Sequence, residues 1–395
     1  MDFNYTEEQQ LLKDSLEKFL AKNYGFEQRR DILANHAGFS PTAWEGFSSM
    51  GLLALPVPEE FGGFGGNAVD LMIVMEAFGR SLVLEPYLAN AVLAAGAIAL
   101  AGSAAQRQIL LPRIADGSMK FAFAHTEPGS RFDLHRVETT ARQEGGMWVI
   151  SGGKSVVIHG AIADLLIVTA RTSGATDAKS GISLFFVNPA EEGVAGRDYP
   201  TYDGMRAAEV TFDNVTISPE SLIGSIDSAY PLLELLADRA VAALCAEAVG
   251  CMGALTDLTL AYLKTREQFG VPIGRFQALQ HRMVDMLMHY ENARSMAMLA
   301  AVKVDSSDYA ERRRAVSAAK ELIGRAGRFV GQQAIQLHGG MGMTDELAVG
   351  HYVKRLTAID TAFGNSDHHL ERFAAEVRET ILEPAQPKKK WKQLV

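Results

Sequence analysis

The sequence predicts three consecutive domains: a helical domain, a β-rich domain and a helical bundle. The apolar residues recur with a period near 3.6 in the first and last parts of the chain and near 2 between them. At 395 residues, the chain is also longer than one compact core usually becomes. The predicted fold class is therefore multidomain α+β, with a middle antiparallel β-barrel or sandwich and a C-terminal four-helix bundle.

The N-terminal helical domain is predicted over residues 1–118. Thr6 has the residue type of a helix N-cap, and the acidic Glu7 and Glu8 that follow suit the positive end of a helix. Apolar residues then recur at helical spacing, at Leu11, Leu12, Leu16, Phe19 and Leu20. Glycine and proline mark residues 56–66 as a loop, whereas the alanine-rich residues 68–101 indicate buried helices.

The middle β-domain is predicted over residues 119–226. Short β-rich runs are separated there by Gly, Asp and Asn, at spacings typical of an antiparallel sandwich or barrel. These runs are 120–126, 147–150, 165–169, 182–187 and 209–212.

The C-terminal bundle is predicted over residues 227–383, where helical periodicity returns with few interior breakers. Residues 384–395 follow it, and they contain two prolines and the run K-K-K-W-K. This composition predicts a mobile, basic tail.

Charge and composition exclude several classes of protein. A net charge of -9 argues against nucleic acid as the main partner, and no apolar run is expected to reach the length of a membrane span. The N-terminus lacks the regions of a signal peptide, so a cytoplasmic location is expected. Cys245 and Cys251 are expected to be buried thiols. No metal site is predicted, because His338, His368 and His369 suit solvated or capping roles better than ligation.

Four short motifs occur along the chain in a fixed order. They are H-T-E-P-G (125–129), D-G-M-R-A-A-E-V-T-F (203–212), T-R-E-Q-F-G (265–270) and Q-L-H-G-G-M-G (336–342). In this order, over roughly residues 5–380, they resemble the acyl-CoA dehydrogenase family. The resemblance implies an FAD enzyme that oxidises the Cα–Cβ bond of an acyl-CoA thioester to a trans-2-enoyl-CoA. It also implies that electrons leave to an electron-transferring flavoprotein.

The family builds each FAD site from two subunits, and this chain matches the part that one subunit gives to its neighbour. The resemblance implies that Arg266 binds the FAD pyrophosphate and that Phe269 lies beside the adenosine portion. It also implies that Gln336, Gly339 and Gly340 form a wall where the backbone approaches the cofactor closely.

The residues that would hold the chain's own flavin ring depart from the family pattern. Thr126 matches, but Phe132 stands where the family has a serine. Val156 replaces a tryptophan, and Ile158 replaces a threonine. Phe363 occupies the position of the usual glutamate base, and a phenylalanine cannot accept a proton.

A second base position exists in some family members, on the first C-terminal helix just before an arginine. The matching residue here is Asp238. A buried, apolar setting would raise its pKa, as a base for an α-proton requires. The alternative is a charge on the helix surface that interacts with Glu234 or other neighbours.

Three hypotheses remain open at this point. In the preferred one, the chain is one subunit of an α2β2 enzyme and shares an FAD site with a homologous catalytic chain. Residues 351–370 support this, because they resemble the small subunit of pimeloyl-CoA dehydrogenase. In the second, the chain forms a homotetramer with Asp238 as base. In the third, it is a non-catalytic scaffold or binding protein. The acyl group is open among straight, dicarboxylic and bulky or steroid side chains.

Overall fold

A computed structural model describes residues 4–35 and 37–382, so the predicted basic tail at 384–395 lies outside the described residues. The N-terminal domain is helical, and Thr6 forms a capping box with Gln9 at its start. Its helices are α1 (Glu7–Asn23), α2 (Phe26–Ala34), α3 (Pro41–Ser49), α4 (Ala68–Ser81), α5 (Ala95–Ala101) and α6 (Ala104–Ala115). A π-helical stretch, Leu88–Ala94, leads into α5.

The middle domain is a single eight-stranded sheet with the strand order β6-β7-β3-β2-β4-β5-β8, and β1 pairs with β4. Its strands are β1 (Phe121–Ala124), β2 (Thr140–Glu144), β3 (Met147–Ile158), β4 (Leu165–Arg171), β5 (Ile182–Val187), β6 (Val194–Pro200), β7 (Arg206–Ile217) and β8 (Leu222–Ile223). Most pairs are antiparallel, as predicted, but β4 runs parallel to both β1 and β2.

The C-terminal domain is a bundle of long helices. A short hairpin of β9 (Glu267–Gln268) and β10 (Val271–Pro272) interrupts it, and a fifth, shorter helix, α10, supplements the four that were predicted. The helices are α7 (Tyr230–Thr265), α8 (Gln277–Lys303), α9 (Tyr309–His338), α10 (Ala348–Thr361) and α11 (Ser366–Leu382).

Helix α7 packs against α4 of the N-terminal domain and against α8, α9 and α10 of the bundle. It is long and apolar enough to cross a membrane by length and composition, so the expectation that no segment reaches that length is wrong. However, 89% of its most apolar window is buried inside the protein. This burial is typical of the core helix of a globular protein.

Helices α4 and α7 approach each other closely at two glycines. A Cβ on Gly250 would overlap the carbonyl oxygen of Glu76, and one on Gly79 would overlap the carbonyl oxygen of Glu247. The Cys251 Sγ atom lies 3.3 Å from the Gly79 carbonyl oxygen. Both cysteines are free thiols buried in this region, as predicted.

All three domains meet around the buried side chain of Arg355. Its guanidinium donates to both oxygens of Glu247 on α7, at 2.5 and 2.7 Å, and to Asp203 Oδ2 in the loop before β7, at 2.8 Å. Burial alone would lower the pKa of Arg355, but the two carboxylates raise it above its usual range. Arg29 of α2 joins the N-terminal domain to the same loop through the carbonyl oxygen of Asp203, at 3.0 Å.

The α4–α7 contact makes a prediction about stability. We expect the Gly250→Ala variant to lose roughly 1–3 kcal/mol of unfolding free energy, because the added methyl group meets backbone that no rotamer change can move. Urea denaturation followed by circular dichroism measures this loss. The matched control is Gly196→Ala on β6, where an added Cβ meets open space. Equal midpoints for the two variants would contradict the close approach.

Candidate active site

The main cavity has a volume of about 770 Å³ and is lined by residues of all three domains. This volume lies within the range of small-molecule and cofactor sites. Thr126, Asp238 and Phe363, which come from three separate stretches of sequence, all line it. The fold therefore brings the predicted cis-site residues together in one place.

Thr126 is fixed at the cavity wall by a buried ion pair that involves the next residue, Glu127. Glu127 accepts hydrogen bonds from the backbone N–H groups of Glu138 and Thr139, at 2.6 and 3.1 Å. The Lys154 Nζ atom lies 2.5 Å from the Glu127 Oε1 atom, and burial lowers the pKa of Lys154 to about 8. Burial would raise the pKa of Glu127, but Lys154 lowers it overall. This loop is consequently anchored to β3 and does not depend on a ligand for its position.

Apolar side chains line the cavity where the family has polar or tryptophan partners of the flavin ring. Phe132, Val156 and Ile158 all line it. The Phe132 ring also lies 5.3 Å from the ring of His368, centroid to centroid. These side chains offer no hydrogen bond to a flavin ring.

Phe363 forms part of the cavity wall, where its ring stacks on that of His125. The two rings are nearly parallel, with centroids 5.0 Å apart and an interplanar angle of 8°. Burial lowers the pKa of His125 to about 4, so the stacked imidazole is neutral at pH 7. The position of the usual base is thus filled by an aromatic pair.

The turn that carries Phe363 is held from several sides. Buried Lys320 donates to three carbonyl oxygens at the end of α10, among them that of Ala362 at 3.0 Å. The His369 Nε2–H group donates to the Phe363 carbonyl oxygen at 3.0 Å. Asp360 accepts from both the backbone N–H and the hydroxyl of Ser366. The Phe363 backbone has a φ of 55°, a left-handed conformation that this network maintains.

Asp238 is buried at the cavity wall, with 1% of its surface exposed. The Arg312 Nε atom lies 2.9 Å from its Oδ2 atom, and the Arg372 Nη1 atom lies 2.6 Å from its Oδ1 atom. The expectation of an apolar setting is therefore wrong, because two guanidiniums surround the carboxylate. The surface-charge alternative is also wrong, and Glu234 pairs instead with Arg313, at 3.3 Å. The assignment of Asp238 as base stays a prediction.

The remaining predicted residues lie on the outer surface of the bundle. Arg266 is exposed at the end of α7, and Phe269 is 92% exposed at the tip of the β9–β10 hairpin. Gln336, Gly339 and Gly340 are exposed at the end of α9. The two segments are adjacent, because Tyr262 of α7 stacks on His338 of α9 with centroids 4.4 Å apart.

The three histidines are not solvated, but His338 and His369 each donate to a carbonyl oxygen near a helix end, as a capping role predicts. His338 and His369 are buried, and His368 is half-buried. The His338 Nδ1–H group donates to the Ala334 carbonyl oxygen at 2.8 Å, inside the last turn of α9. Within residues 4–35 and 37–382, no group of three His, Cys, Asp or Glu side chains is arranged to hold a metal ion.

Comparisons with known proteins decide the family. Models for the N-terminal, middle and C-terminal domains of acyl-CoA dehydrogenase match residues 6–118, 122–215 and 236–377. The chain belongs to the acyl-CoA dehydrogenase family. It is 32% identical to the acyl-CoA dehydrogenase FadE12 of Mycobacterium tuberculosis over 88% of this chain and 90% of that one.

Two solved structures share the whole architecture of this acyl-CoA dehydrogenase. One is a variant of the Tcur3481-Tcur3483 steroid ACAD, with a TM-score of 0.85 and 28% identity over 95% of this chain and 99% of that one. The other is the ChsE4-ChsE5 complex of Mycobacterium tuberculosis, with a TM-score of 0.87 and 25% identity over 98% and 100%. The protein is thus an oxidoreductase, and FAD is its family's cofactor.

The two halves of the expected FAD site differ in how well they fit the cofactor. An added Cβ on Gly339 or Gly340 would meet open space, so the backbone there is accessible to a phosphate group, and Arg266 is exposed close by. The outer surface therefore fits FAD. In the cavity, Phe132, Val156 and Ile158 offer a flavin ring no hydrogen bond and Phe363 stands at the position of the base, so this half lacks the partners that hold the ring in the family.

Several residues of the site escaped the sequence analysis. Arg312 and Arg372 are far from Asp238 along the chain, and helical periodicity gives no sign that α7, α9 and α11 bring them together. His125 had a local signal, because it lies directly before the T-E-P-G motif at the end of an apolar strand.

Buried His159 makes a prediction about acid stability. Its side chain lines the cavity, and burial lowers its pKa from 6.5 to about 4. Between these values the unfolded chain binds more protons than the folded one, so this residue's contribution to stability is complete above pH 6.5 and is lost as the pH falls toward 4. When the pH falls from 7 to 5, both proteins lose unfolding free energy, and we expect the loss in the His159→Asn variant to be about 1–2 kcal/mol smaller than in the wild type.

Denaturation midpoints at the two pH values measure this difference. Asparagine suits the left-handed backbone at this position, where φ is 58°. The control is His281→Asn at an exposed histidine of α8. If His159→Asn and His281→Asn change the acid dependence equally, the burial of His159 does not control it.

Proposed function

We propose that this chain is one subunit of a mixed α2β2 acyl-CoA dehydrogenase and shares the FAD site with a homologous chain. It supplies Arg266, Phe269, Gln336, Gly339 and Gly340 to an FAD whose ring lies in a homologous catalytic chain. The observation that carries the proposal is the contrast between the two halves of the FAD site. The outer half is exposed and open, whereas the chain's own cavity is lined by Phe132, Val156, Ile158 and Phe363 where the family has serine, tryptophan, threonine and a glutamate base.

The outer half has the chemistry that a dinucleotide requires. Arg266 offers a planar guanidinium that can form paired hydrogen bonds with a pyrophosphate. Phe269 is an almost fully exposed aromatic ring, and a large apolar side chain with this exposure is typical of an interaction surface. Gln336 adds an amide next to the open glycine backbone.

Neither expected base position in the chain's own cavity holds an unpaired carboxylate. Phe363 has no acid–base group. Asp238 is ion-paired with two guanidiniums: Arg312 donates to its Oδ2 atom, and Arg372 lies 2.6 Å from its Oδ1 atom, which accepts no hydrogen bond. When bound, FAD supplies the hydride acceptor of the dehydrogenation. In the proposed assembly, removal of the α-proton is the task of a carboxylate in the partner chain, and this chain contributes binding and orientation.

The proposed substrate is an acyl-CoA with a bulky or dicarboxylic acyl group, and the proposed electron acceptor is an electron-transferring flavoprotein. The two solved structures named above support the mixed assembly, because the name of each joins two different proteins, Tcur3481 with Tcur3483 and ChsE4 with ChsE5. One of them is described as a steroid ACAD, which supports a bulky acyl group. Reduction of the purified complex by a panel of straight, dicarboxylic and steroid-side-chain acyl-CoAs tests this assignment.

A second candidate is a self-sufficient homotetramer with Asp238 as base. The observation that favours it is that Asp238 lines the same cavity as Thr126. In this case the ion pairs of Asp238 with Arg312 and Arg372 would have to open during turnover.

Visible spectroscopy separates these assemblies. We expect the chain purified alone to carry no flavin, and the chain co-purified with its homologous partner to carry one flavin per two chains. A full flavin complement in the isolated chain, bleached by an acyl-CoA, would establish the homotetramer. A chain that stays colourless with every homologue would identify a scaffold or binding protein.

Arg266→Ala tests the outer half of the site. We expect it to weaken FAD binding by the complex about tenfold to a hundredfold, because charge-assisted hydrogen bonds are lost. Flavin fluorescence titration of the deflavinated complex measures the dissociation constant. The control is Arg325→Ala, which removes an exposed arginine of α9 that pairs with Glu321. Unchanged FAD affinity in Arg266→Ala would contradict the proposed role of Arg266.

Asp238→Asn distinguishes a base on the partner chain from Asp238 as the base. In the mixed assembly we expect the rate of flavin bleaching by acyl-CoA to remain that of the wild type. Stability should fall by about 3–5 kcal/mol, because two buried guanidiniums lose a charged partner. Stopped-flow absorbance and thermal unfolding measure the two effects. Loss of bleaching in a folded variant would instead identify Asp238 as the base.

A further inference from the structure

We propose that Tyr262 and His338 form a positioning brace, which holds Arg266 at a fixed place relative to the glycine segment 339–342. The inference rests on the proposed function, in which both segments contact the FAD of a partner chain. Neither ring is assigned a contact with FAD. Each acts through the cofactor-contacting residues attached to it.

The two rings form a close stacked pair. Their centroids are 4.4 Å apart and the interplanar angle is 27°. Tyr262 lies near the end of α7, and His338 is the last residue of α9. The pair therefore joins the C-terminal ends of the two helices that carry the predicted cofactor contacts.

Tyr262 is connected directly to the position of Arg266. The backbone N–H of Arg266 donates to the Tyr262 carbonyl oxygen at 2.8 Å, which forms the last hydrogen bond of α7. Arg266 then leaves the helix with extended backbone, and its carbonyl oxygen accepts from Ile273 N–H at 2.8 Å. A shift of Tyr262 would move the point from which the Arg266 side chain extends.

His338 is likewise connected directly to the glycine segment. It lies between Gln336 and Gly339, and its Nδ1–H donates to the Ala334 carbonyl oxygen at 2.8 Å, which fixes the orientation of the ring. Gly339 has a φ of 60° and turns the chain out of α9 directly after it. A Cβ on Gly342 would lie 3.1 Å from the His338 Cβ, so the segment folds back onto this residue.

The brace explains how two separate segments can hold one ligand. Arg266 and the glycine segment extend from different helices into solvent, and the stacked rings are a direct side-chain contact between the two helix ends next to these segments. A dinucleotide that contacts both segments requires a fixed distance between them. The stack supplies this constraint before the ligand binds.

The test compares FAD affinity among variants of the full-length chain in its flavin-carrying assembly. We expect Tyr262→Leu to raise the FAD dissociation constant about three- to tenfold, the range that an aromatic pair can contribute. Tyr262→Phe keeps the stack and is expected to retain the wild-type affinity. His338→Gln removes the other ring and should match Tyr262→Leu, which provides a second variant if one fails to fold.

A matched control lies on the same helix. The ring of Phe329 on α9 packs against that of His289 on α8, tilted by 36° with centroids 4.2 Å apart, more than two turns before the glycine segment. Phe329→Leu is expected to lower the melting temperature of the deflavinated protein without changing the FAD dissociation constant. If it weakens FAD binding as much as Tyr262→Leu does, the loss of affinity reflects general destabilisation of the bundle, and the brace is rejected.

A double-mutant cycle tests the route of the effect. Tyr262→Leu should weaken FAD binding less in an Arg266→Ala background than in the wild type, because part of its effect is transmitted through Arg266. Fully additive effects would overturn the brace. Unchanged affinity in Tyr262→Leu, together with weakened binding in Arg266→Ala, would also overturn it and leave the proposed function intact. Unchanged affinity in Arg266→Ala itself would contradict the proposed function.

Discussion

The arrangement of the three domains depends on one buried guanidinium, that of Arg355. It comes from α10 and binds Glu247 on α7 and Asp203 in the middle domain, while Arg29 ties the N-terminal domain to the carbonyl oxygen of Asp203. Removing one partner of such a buried group costs about 3–5 kcal/mol, because a charge is left uncompensated. Asp203, Glu247 and Arg355 also line the main cavity. Ion pairs within the chain therefore hold the cavity walls in place without a bound ligand.

This frame explains how the fold keeps its cavity while the chemistry inside it differs from the family pattern. The turn at Phe363 is held by Lys320, His369 and Asp360, and none of these contacts uses the Phe363 side chain. A base at this position can thus be replaced by an aromatic residue without loss of the turn. The outer surface at Arg266 depends on a different set of contacts, between the ends of α7 and α9. The two halves of the FAD site are structurally separable.

Local sequence signals predicted the domain order, the N-cap at Thr6 and much of the strand content, because each depends on periodicity or on one residue type. They could not predict the parallel pairing of β1 with β4, which is set by tertiary contacts. They also failed for the setting of Asp238. Its two arginines come from α9 and α11, and only the packing of three helices brings them to one carboxylate. Burial of His338 was missed for the same reason, since its neighbour Tyr262 lies on another helix.

The energetics of Asp238 favour the division of labour between two chains. To accept a proton, this carboxylate needs an oxygen directed at the substrate, yet it is ion-paired with Arg312 and Arg372, and the Oδ1 atom, which accepts no hydrogen bond, lies 2.6 Å from the Arg372 guanidinium. Opening either pair would leave a guanidinium without its carboxylate partner at a cost of roughly several kcal/mol, because the side chains of Arg312 and Arg372 are only 10% and 12% exposed. The cavity side chains Phe132, Val156 and Ile158 also offer a flavin ring no hydrogen bond. A partner that supplies both the base and the ring site removes both requirements, so the described structure can serve in the mixed assembly without change.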